Sequence, residues 1–325
     1  MKLAADHVKN KDSATLLVVG DQDGYERAVT DGFAKLGVRF RRVSMEDIGN
    51  LTADEINQVE CIVGCFLNSK HLTMLGLKLV NHPVLSNKVF EYVLIPRDEY
   101  QILEQYDWQV NTSFVSPLLV SDIDYFDLYK RSLSKFELKC QIRDYMDLCQ
   151  LVSSVVKQDI EGDIAEFGSY KGHSGWLMSN ILKQFDSKKK LYMFDMFEEF
   201  PEEVVGVDSF WSKTHHVDYS EVKSNFSDLD NVSLVKGDFT KTYEISGIDK
   251  LCFIYIDCDS YRGTKYLLET LYDDVLAKNG IVGIEDYGHG PLLGNRLAYH
   301  EFFDGRDDCF KFFSQFSGFQ IVVKK

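Results

Sequence analysis

Residues 164–174 run Ile-Ala-Glu-Phe-Gly-Ser-Tyr-Lys-Gly-His-Ser, and residues 191–195 run Leu-Tyr-Met-Phe-Asp. In the first stretch a short apolar run ends on Glu166 and Phe167, opens into Gly168-Ser169-Tyr170-Lys171-Gly172, and gives way to helical spacing up to Phe185. A strand that passes through Gly-x-x-x-Gly into a helix lets backbone approach a ligand closely, and the helix N-terminus favours a carboxylate. Ser174 is placed to hold that carboxylate and Glu166 to face an ammonium group, directly or through water. Ser169 sits inside the same loop, and Lys171 and His173 read as residues of a solvated helix start. Glycines at such turns also occur for geometry alone, so a second signal is needed.

Asp195 supplies it. This acid ends a strand about 27 residues after Gly168, where the second strand of a nucleoside-binding sheet offers a carboxylate to ribose hydroxyls. Gly237-Asp238 closes the next strand, Val232 to Lys236, where it either meets an adenine or simply turns the chain. A nucleoside bearing an amino acid, as in S-adenosylmethionine (SAM), would use all of these groups. A hydride-transfer dehydrogenase would share the ribose acid, but its pyrophosphate loop needs the tighter glycine spacing that is missing here.

Two further strands end in acids: Ile256-Asp257-Cys258-Asp259 and Ile284-Glu285-Asp286-Tyr287. Carboxylates at the ends of adjacent parallel strands meet at the ligand-binding edge of the sheet, where they repel one another unless a cation joins them. Oxygen ligands of this kind select Mg²⁺ or Ca²⁺ over Zn²⁺. The plainer reading is a set of solvated loop acids. The remaining elements complete an alternating pattern: helices from about Tyr129 to Lys157, a helix from about Thr264 to Ala277, and a terminal antiparallel hairpin from Phe310 to Phe313 and Phe319 to Val323.

At 325 residues the chain suggests two domains, and the N-terminal part has its own βαβ pattern. Strands are expected at Leu16 to Gly20, Val38 to Val43 and Cys61 to Phe66, with a helix from Tyr25 to Leu36. A further strand and helix lie between His82 and Asp107. The turn Gly20-Asp21-Gln22-Asp23-Gly24 puts two carboxylates where phosphate would sit, which argues against a dinucleotide. The expected division is a small Rossmann-like α/β domain of accessory role over 1–110, a linker over 111–129 and a larger α/β domain over 130–325. The segment from Phe197 to Tyr219, with Trp211, His215 and His216, has the character of an active-site lid. His289 is a candidate neighbour of the acids.

A net charge of −15, from 36 Lys and Arg against 51 Asp and Glu, removes the electrostatic attraction that dominates nucleic-acid affinity. The first fifteen residues lack an apolar signal region, and no run of about 18 apolar residues spans a membrane. Seven cysteines without C-x-x-C spacing, Cys61 and Cys65 among them, read as buried thiols of a reducing cytoplasm.

Together GDIAEFGSYKGHS, LYMFDMFEEFP, IDCDSYRGTKYLLETLY, GIVGIEDYG and GNRLAYHEFF resemble the macrocin O-methyltransferase family, whose members methylate sugar hydroxyls of antibiotics. The resemblance covers residues 130–325. It implies a class I methyltransferase fold with a doubly wound seven-stranded sheet, SAM as donor, and Mg²⁺ held by Asp257, Glu285 and Asp286. Asp259 matches the general base, a role Asp257 could share. Glu285 departs from the family's usual aspartate by one methylene, which would shift the ion or insert a water. The resemblance implies a sugar-containing acceptor and allows a homodimer. A catechol-type or N-methyltransferase and a non-catalytic SAM- or sugar-binding scaffold remain the alternatives.

Overall fold

A computed structural model of the protein describes residues 4–5, 8, 14–20, 25–66, 69–94, 125–136, 140–200, 206–211, 214–290 and 292–325. Residues 21–24 of the acidic turn, the helix expected before Asp107 and most of the 111–129 linker lie outside the described residues. The chain forms two compact units, Met1–Asp107 with Pro201–Ser212, and Trp108–Phe200 with Lys213–Lys325.

In the first unit β1 (Thr15–Gly20), α1 (Tyr25–Lys35), β2 (Phe40–Val43), α2 (Ala53–Gln58), β3 (Val59–Phe66), α3 (Ser69–Val80) and β4 (Val89–Leu94) alternate. The strands form an all-parallel sheet in the order β2-β1-β3-β4. Both faces of such a sheet are covered, so β1 is apolar nearly throughout and β3 carries Cys61, Ile62, Val63 and Cys65 fully buried. Leu16, Val18, Val29, Phe33, Cys61 and Val63 make one core. A capping box starts α2: Thr52 Oγ1 accepts from Glu55 N and the Glu55 carboxylate accepts from Thr52 N.

The second unit begins with two helices, α4 (Tyr125–Leu133) and α5 (Ile142–Lys157), in the stretch where helices from about Tyr129 to Lys157 were expected. The break comes where Gln141 caps α5 in a box with Asp144. Then follow β5 (Asp163–Phe167), α6 (His173–Gln184), β6 (Leu191–Asp195), α7 (Tyr219–Asn225), β7 (Val232–Lys236), α8 (Phe239–Thr242), β8 (Leu251–Ile256), α9 (Tyr261–Leu271), β9 (Leu276–Ile284), α10 (Leu293–Phe303), β10 (Cys309–Phe313) and β11 (Gln320–Lys324). Their order in the sheet is β10-β11-β9-β8-β5-β6-β7. Only β11 runs against its neighbours, so the expected seven-stranded doubly wound sheet forms with its terminal hairpin.

Burial along β8 shows how this sheet is held. All six residues are buried, with Phe253 and Tyr255 in the cluster of Tyr145, Leu148, Leu177 and Ile181. Ile254 and Ile256 enter the opposite cluster with Phe167, Leu267, Leu271 and Phe303. Period-2 alternation thus feeds two cores, and each large side chain contributes about 1.5–3 kcal/mol by leaving water. The helix expected from Thr264 to Ala277 instead starts where Ser260 Oγ accepts from Gly263 N at 3.1 Å and ends at Leu271. Apolar Leu276 and Ala277, taken for its last turn, are the buried start of β9, which bends at Asn279 with φ 61°. All seven cysteines are free and buried. Among the described residues no helix is long and apolar enough to cross a membrane.

The strand order reverses between β5 and β8, so the crevice at a doubly wound sheet's switch point lies at their carboxyl ends. Both chemical stretches of the sequence end there.

Candidate active site

Strand β5 delivers Glu166 to the crevice fully buried. The Ser174 hydroxyl donates to Glu166 Oε1, whereas Glu166 Oε2 and the buried Ser169 Oγ have no hydrogen-bond partner among the described residues. Burial pushes the Glu166 carboxyl up to about 7, against the neighbouring Ser174 and Ser169 hydroxyls, which lower it. Gly168 has φ +93°, and a Cβ there would overlap the Asp257 carbonyl. Only glycine lets this loop lie against the end of β8. Gly172, with φ +89°, is the N-cap of α6 and offers no side-chain cap, leaving the first N–H groups of the helix without that partner.

The loop is tied to the end of β6. Tyr170 N donates to Asp195 Oδ2 at 2.8 Å and Phe197 N to Oδ1 at 2.6 Å, while burial raises the Asp195 carboxyl. Glu166 thus pairs with Ser174, and the loop of Gly168, Ser169 and Gly172 is tied to Asp195 through the Tyr170 amide, at the carboxyl ends of β5 and β6. After Gly237, with φ +125°, Asp238 caps α8. Its Oδ1 accepts from Thr240 N at 3.0 Å, and its Oδ2 lies 3.0 Å from Lys241 Nζ. Asp238 therefore has the turn role that was one of its two readings.

His173 differs from expectation. It is 2% exposed, not solvated. Its Nδ1 accepts from Cys140 N at 3.2 Å and its Nε2 lies 2.7 Å from Ser132 Oγ, which makes Nε2 the protonated nitrogen. Phe136 stacks on the ring at 5.1 Å, and burial pushes its pKa down to about 4. The imidazole ties α4 and the entry of α5 to the loop.

The second half of the site is a group of carboxylates around Asp286, which is 2% exposed. Oxygens of Asp257, Asp259 and Asp286 lie within 4.8 Å of one another, as do ligand atoms of Glu285, Asp286 and His289. Asp257 is held by its amide, which donates to Phe167 O at 2.9 Å, and Asp259 takes a left-handed φ of 53°. The short 3₁₀ turn Glu285–Gly288 presents Glu285 and Asp286. Burial first, and then mutual repulsion, drives Asp257, Glu285 and Asp286 well above the usual carboxylate range. His289 Nδ1 lies 3.1 Å from Asp286 Oδ1, and Asp286 Oδ2 is buried without a hydrogen-bond partner among the described residues. Asp257 and Asp286 therefore share a group with Asp259, and Glu285 joins through Asp286 and His289.

One member of this neighbourhood comes from outside the strand ends. Asp144, at the start of α5, is pushed up to about 6 by burial, against Arg143 and the Gln141 amide. Its charge is felt at both Asp257 and Glu285. The capping box at Gln141 marks the helix start, but nothing in the sequence aims this acid at the crevice. The expected lid is also divided: its 3₁₀ turn Gly206–Trp211 belongs with the first compact unit, whereas His215 and His216 stay with the second.

The model of the family described as Macrocin-O-methyltransferase (TylF) matches residues 142–307. Demethyldecarbamoylnovobiocin O-methyltransferase of Streptomyces niveus is 28% identical over 183 residues, 51% of this chain and 69% of that protein. The 8-demethyl-8-(2,3-dimethoxy-alpha-L-rhamnosyl)-tetracenomycin-C 4'-O-methyltransferase of Streptomyces olivaceus is 30% identical over 174 residues, 49% of this chain and 64% of that protein. Among solved structures, the O-methyltransferase NovP is similar at a TM-score of 0.49 and 24% identity, covering 57% of this chain and 80% of that one. The matched region contains the loop, Asp195 and every carboxylate of the cluster. The chain belongs to the macrocin O-methyltransferase family and is a methyltransferase with the class I fold.

Proposed function

We propose that this enzyme moves the methyl group of SAM to a sugar hydroxyl of a natural product, a nucleotide-linked sugar or a glycan, with Mg²⁺ at the carboxylate cluster. The observation that supports the reading most is Asp286, a buried acid with one oxygen that lacks a hydrogen-bond partner among the described residues, set among carboxylates whose pKa values burial and repulsion raise. A hard divalent cation relieves such a cluster, and the donor set fits one. The relatives named above act, by their names, on natural products and, in one case, on a rhamnosyl group.

SAM supplies an already activated methyl group, so the protein's task is to hold donor and acceptor in line and to take a proton. Asp195 would take the ribose hydroxyls, Gly237 and Asp238 would border the adenine, and Glu166 Oε2 would take the ammonium. The amides at the start of α6, with Ser169 and with Ser174 once its hydroxyl turns from Glu166, would take the carboxylate. Asp257, Glu285 and Asp286 would hold Mg²⁺, with Glu285 bound directly or through water. The ion, when bound, supplies a template for vicinal hydroxyls and Lewis acidity toward the one to be methylated. Asp259, in the same group but at the end of the strand, would accept the hydroxyl proton, sharing that role with Asp257. Alignment is worth on the order of 7–11 kcal/mol of barrier and a placed base roughly 10²–10⁴-fold.

Turnover of labelled SAM over a panel of sugars, catechols and amines tests the proposal. Methylation of a vicinal-diol sugar that stops with chelator and returns with Mg²⁺ is expected. Full activity in excess chelator would overturn the metal role, and methylation of catechols or amines alone would overturn the sugar assignment.

A further inference from the structure

The acids on β8 follow directly from a strand, but Glu285 and Asp286 sit on a 3₁₀ turn of only four residues, Glu285–Gly288. Such a turn has poor hydrogen-bond geometry of its own, so its shape depends on what grips it. One grip comes from the hairpin loop before β11. Gly288 N donates to Gly318 O at 2.9 Å, and a Cβ on Gly288 would lie 2.7 Å from Gly318 Cα. The other comes from α10. Arg296 is 6% exposed; its Nε donates to Tyr287 O at 3.0 Å and its Nη2 to His289 O at 2.8 Å. The guanidinium also lies 5.9 Å from the centre of the Tyr287 ring.

We infer that Arg296 is the positioning residue of this acidic turn: its planar fork sets the backbone from Tyr287 to His289 and thereby aims Asp286 and His289 at the cation. The inference rests on the metal reading above. Two donors in a rigid plane fix the spacing and the twist of two carbonyls at once, whereas an ammonium is a point donor that bonds either one without fixing both. Asp286 leads into the first gripped carbonyl, and His289 owns the second. The contact between their side chains, Asp286 Oδ1 to His289 Nδ1 at 3.1 Å, is therefore set by a segment whose far end Arg296 holds. The role assigned to Arg296 is exerted through the turn, by the bonds to Tyr287 O and His289 O.

The test uses the full-length protein and its Arg296→Lys and Arg296→Gln variants. Mn²⁺ affinity is read from the free-ion paramagnetic resonance signal with S-adenosylhomocysteine (SAH) present, SAH affinity by calorimetry, melting by differential scanning fluorimetry, and kcat against Mg²⁺ concentration. For Arg296→Lys we expect Mn²⁺ affinity to fall roughly tenfold or more, as for partners that orient metal ligands, with SAH affinity within about twofold of wild type. A higher Mg²⁺ requirement should accompany it, with kcat recovering in part at saturating metal, and Arg296→Gln should be worse on both counts. Unchanged Mn²⁺ affinity in a variant that still binds SAH overturns the inference. A parallel loss of SAH affinity, metal affinity and melting temperature also overturns it, because Arg296 would then be a general packing residue. Failure of the wild type itself to bind Mn²⁺ would strike the metal reading instead.

Discussion

Both units build parallel sheets from the same βαβ grammar, yet their strand ends differ. In the first unit β1, β2, β3 and β4 end on Gly20, Val43, Phe66 and Leu94. In the second, β5, β6, β8 and β9 lead into Glu166, Asp195, Asp257 with Asp259, and Glu285 with Asp286. Architecture is common to both units and chemistry is not, which is the general relation between fold and site. Glu166, Asp257, Glu285 and Asp286 make the second sheet's edge costly to fold, since burial penalises their charged forms.

The largest expected effect breaks that contrast directly. Asp286→Asn should lower turnover on the order of 10²–10⁴-fold, the scale of lost Lewis-acid and positioning chemistry, with SAH binding kept. Without metal the same variant should melt at a higher temperature than wild type near pH 8. The folded pKa of Asp286 lies above its unfolded value, so wild-type stability declines as pH rises through that range, and the amide removes the decline. Near pH 4 the two proteins should converge. Ser44→Ala, just past the end of β2, should leave turnover within about twofold, since it removes only a local bond to Asp47 in the first unit. Thermal melts at both pH values and steady-state assays decide it.

A core substitution in the first unit sharpens the comparison from the other side. Phe33 is fully buried there, and Phe33→Ala should cost about 3–5 kcal/mol of that unit's stability. If the two cores unfold separately, as multidomain chains often do, calorimetry should show one transition lowered and the SAH-stabilised one unmoved. A single transition that shifts as a whole would mean that the units melt together.

The sequence made the strand ends legible for a physical reason. Each of β5, β6, β8 and β9 carries an apolar run with an acid at or next to its carboxyl end, and parallel topology gathers such ends at one edge. The same local logic failed wherever the information is not local. Leu276 and Ala277 suit a helix or a buried strand equally, and only pairing with β8, where Leu276 lies opposite Leu251, decides. His173 is polar and next to a glycine, so it read as solvated until Phe136, Ser132 and Cys140 closed over it. Asp144 and Arg296 reach the site from helices, and no spacing in the chain points a helix residue at a crevice. The turn Gly206–Trp211 lies between two elements of the second unit yet joins the first, a placement only long-range packing determines.

The pH dependence of cofactor binding tests the buried acid of β5. With its pKa pushed up to about 7, Glu166 is half protonated at neutral pH, whereas an ammonium ligand requires the carboxylate. SAH affinity should therefore be level above about pH 8 and fall roughly tenfold per pH unit well below 7, one proton being released on binding. Titration calorimetry in buffers of different ionisation enthalpy measures that proton. Glu166→Gln should bind more weakly and lose the pH slope. A slope that survives in the variant would locate the titration elsewhere.

The smallest expected effect concerns the residue that departs from the family pattern. Glu285 groups with Asp286 and His289, and Asp257 and Asp259 group with Asp286 but not with Glu285 under the same distance limit. Shortening it to aspartate changes reach by one methylene while keeping charge and donor type. If Glu285 meets the ion through water, Glu285→Asp moves a group outside the inner set, and Mg²⁺ affinity and kcat should change by no more than about threefold, in either direction, a few tenths of a kcal/mol up to about 0.7. If it is a direct ligand, the shorter side chain must pull the turn toward the ion against the grip of Arg296 and Gly318, and affinity should fall by roughly tenfold or more. Mn²⁺ titrations of Glu285→Asp, alone and combined with Arg296→Lys, separate the cases. Water-mediated contact predicts additive effects, as for residues that do not share a strained backbone. Direct ligation predicts that loosening the turn recovers part of what the shorter carboxylate lost.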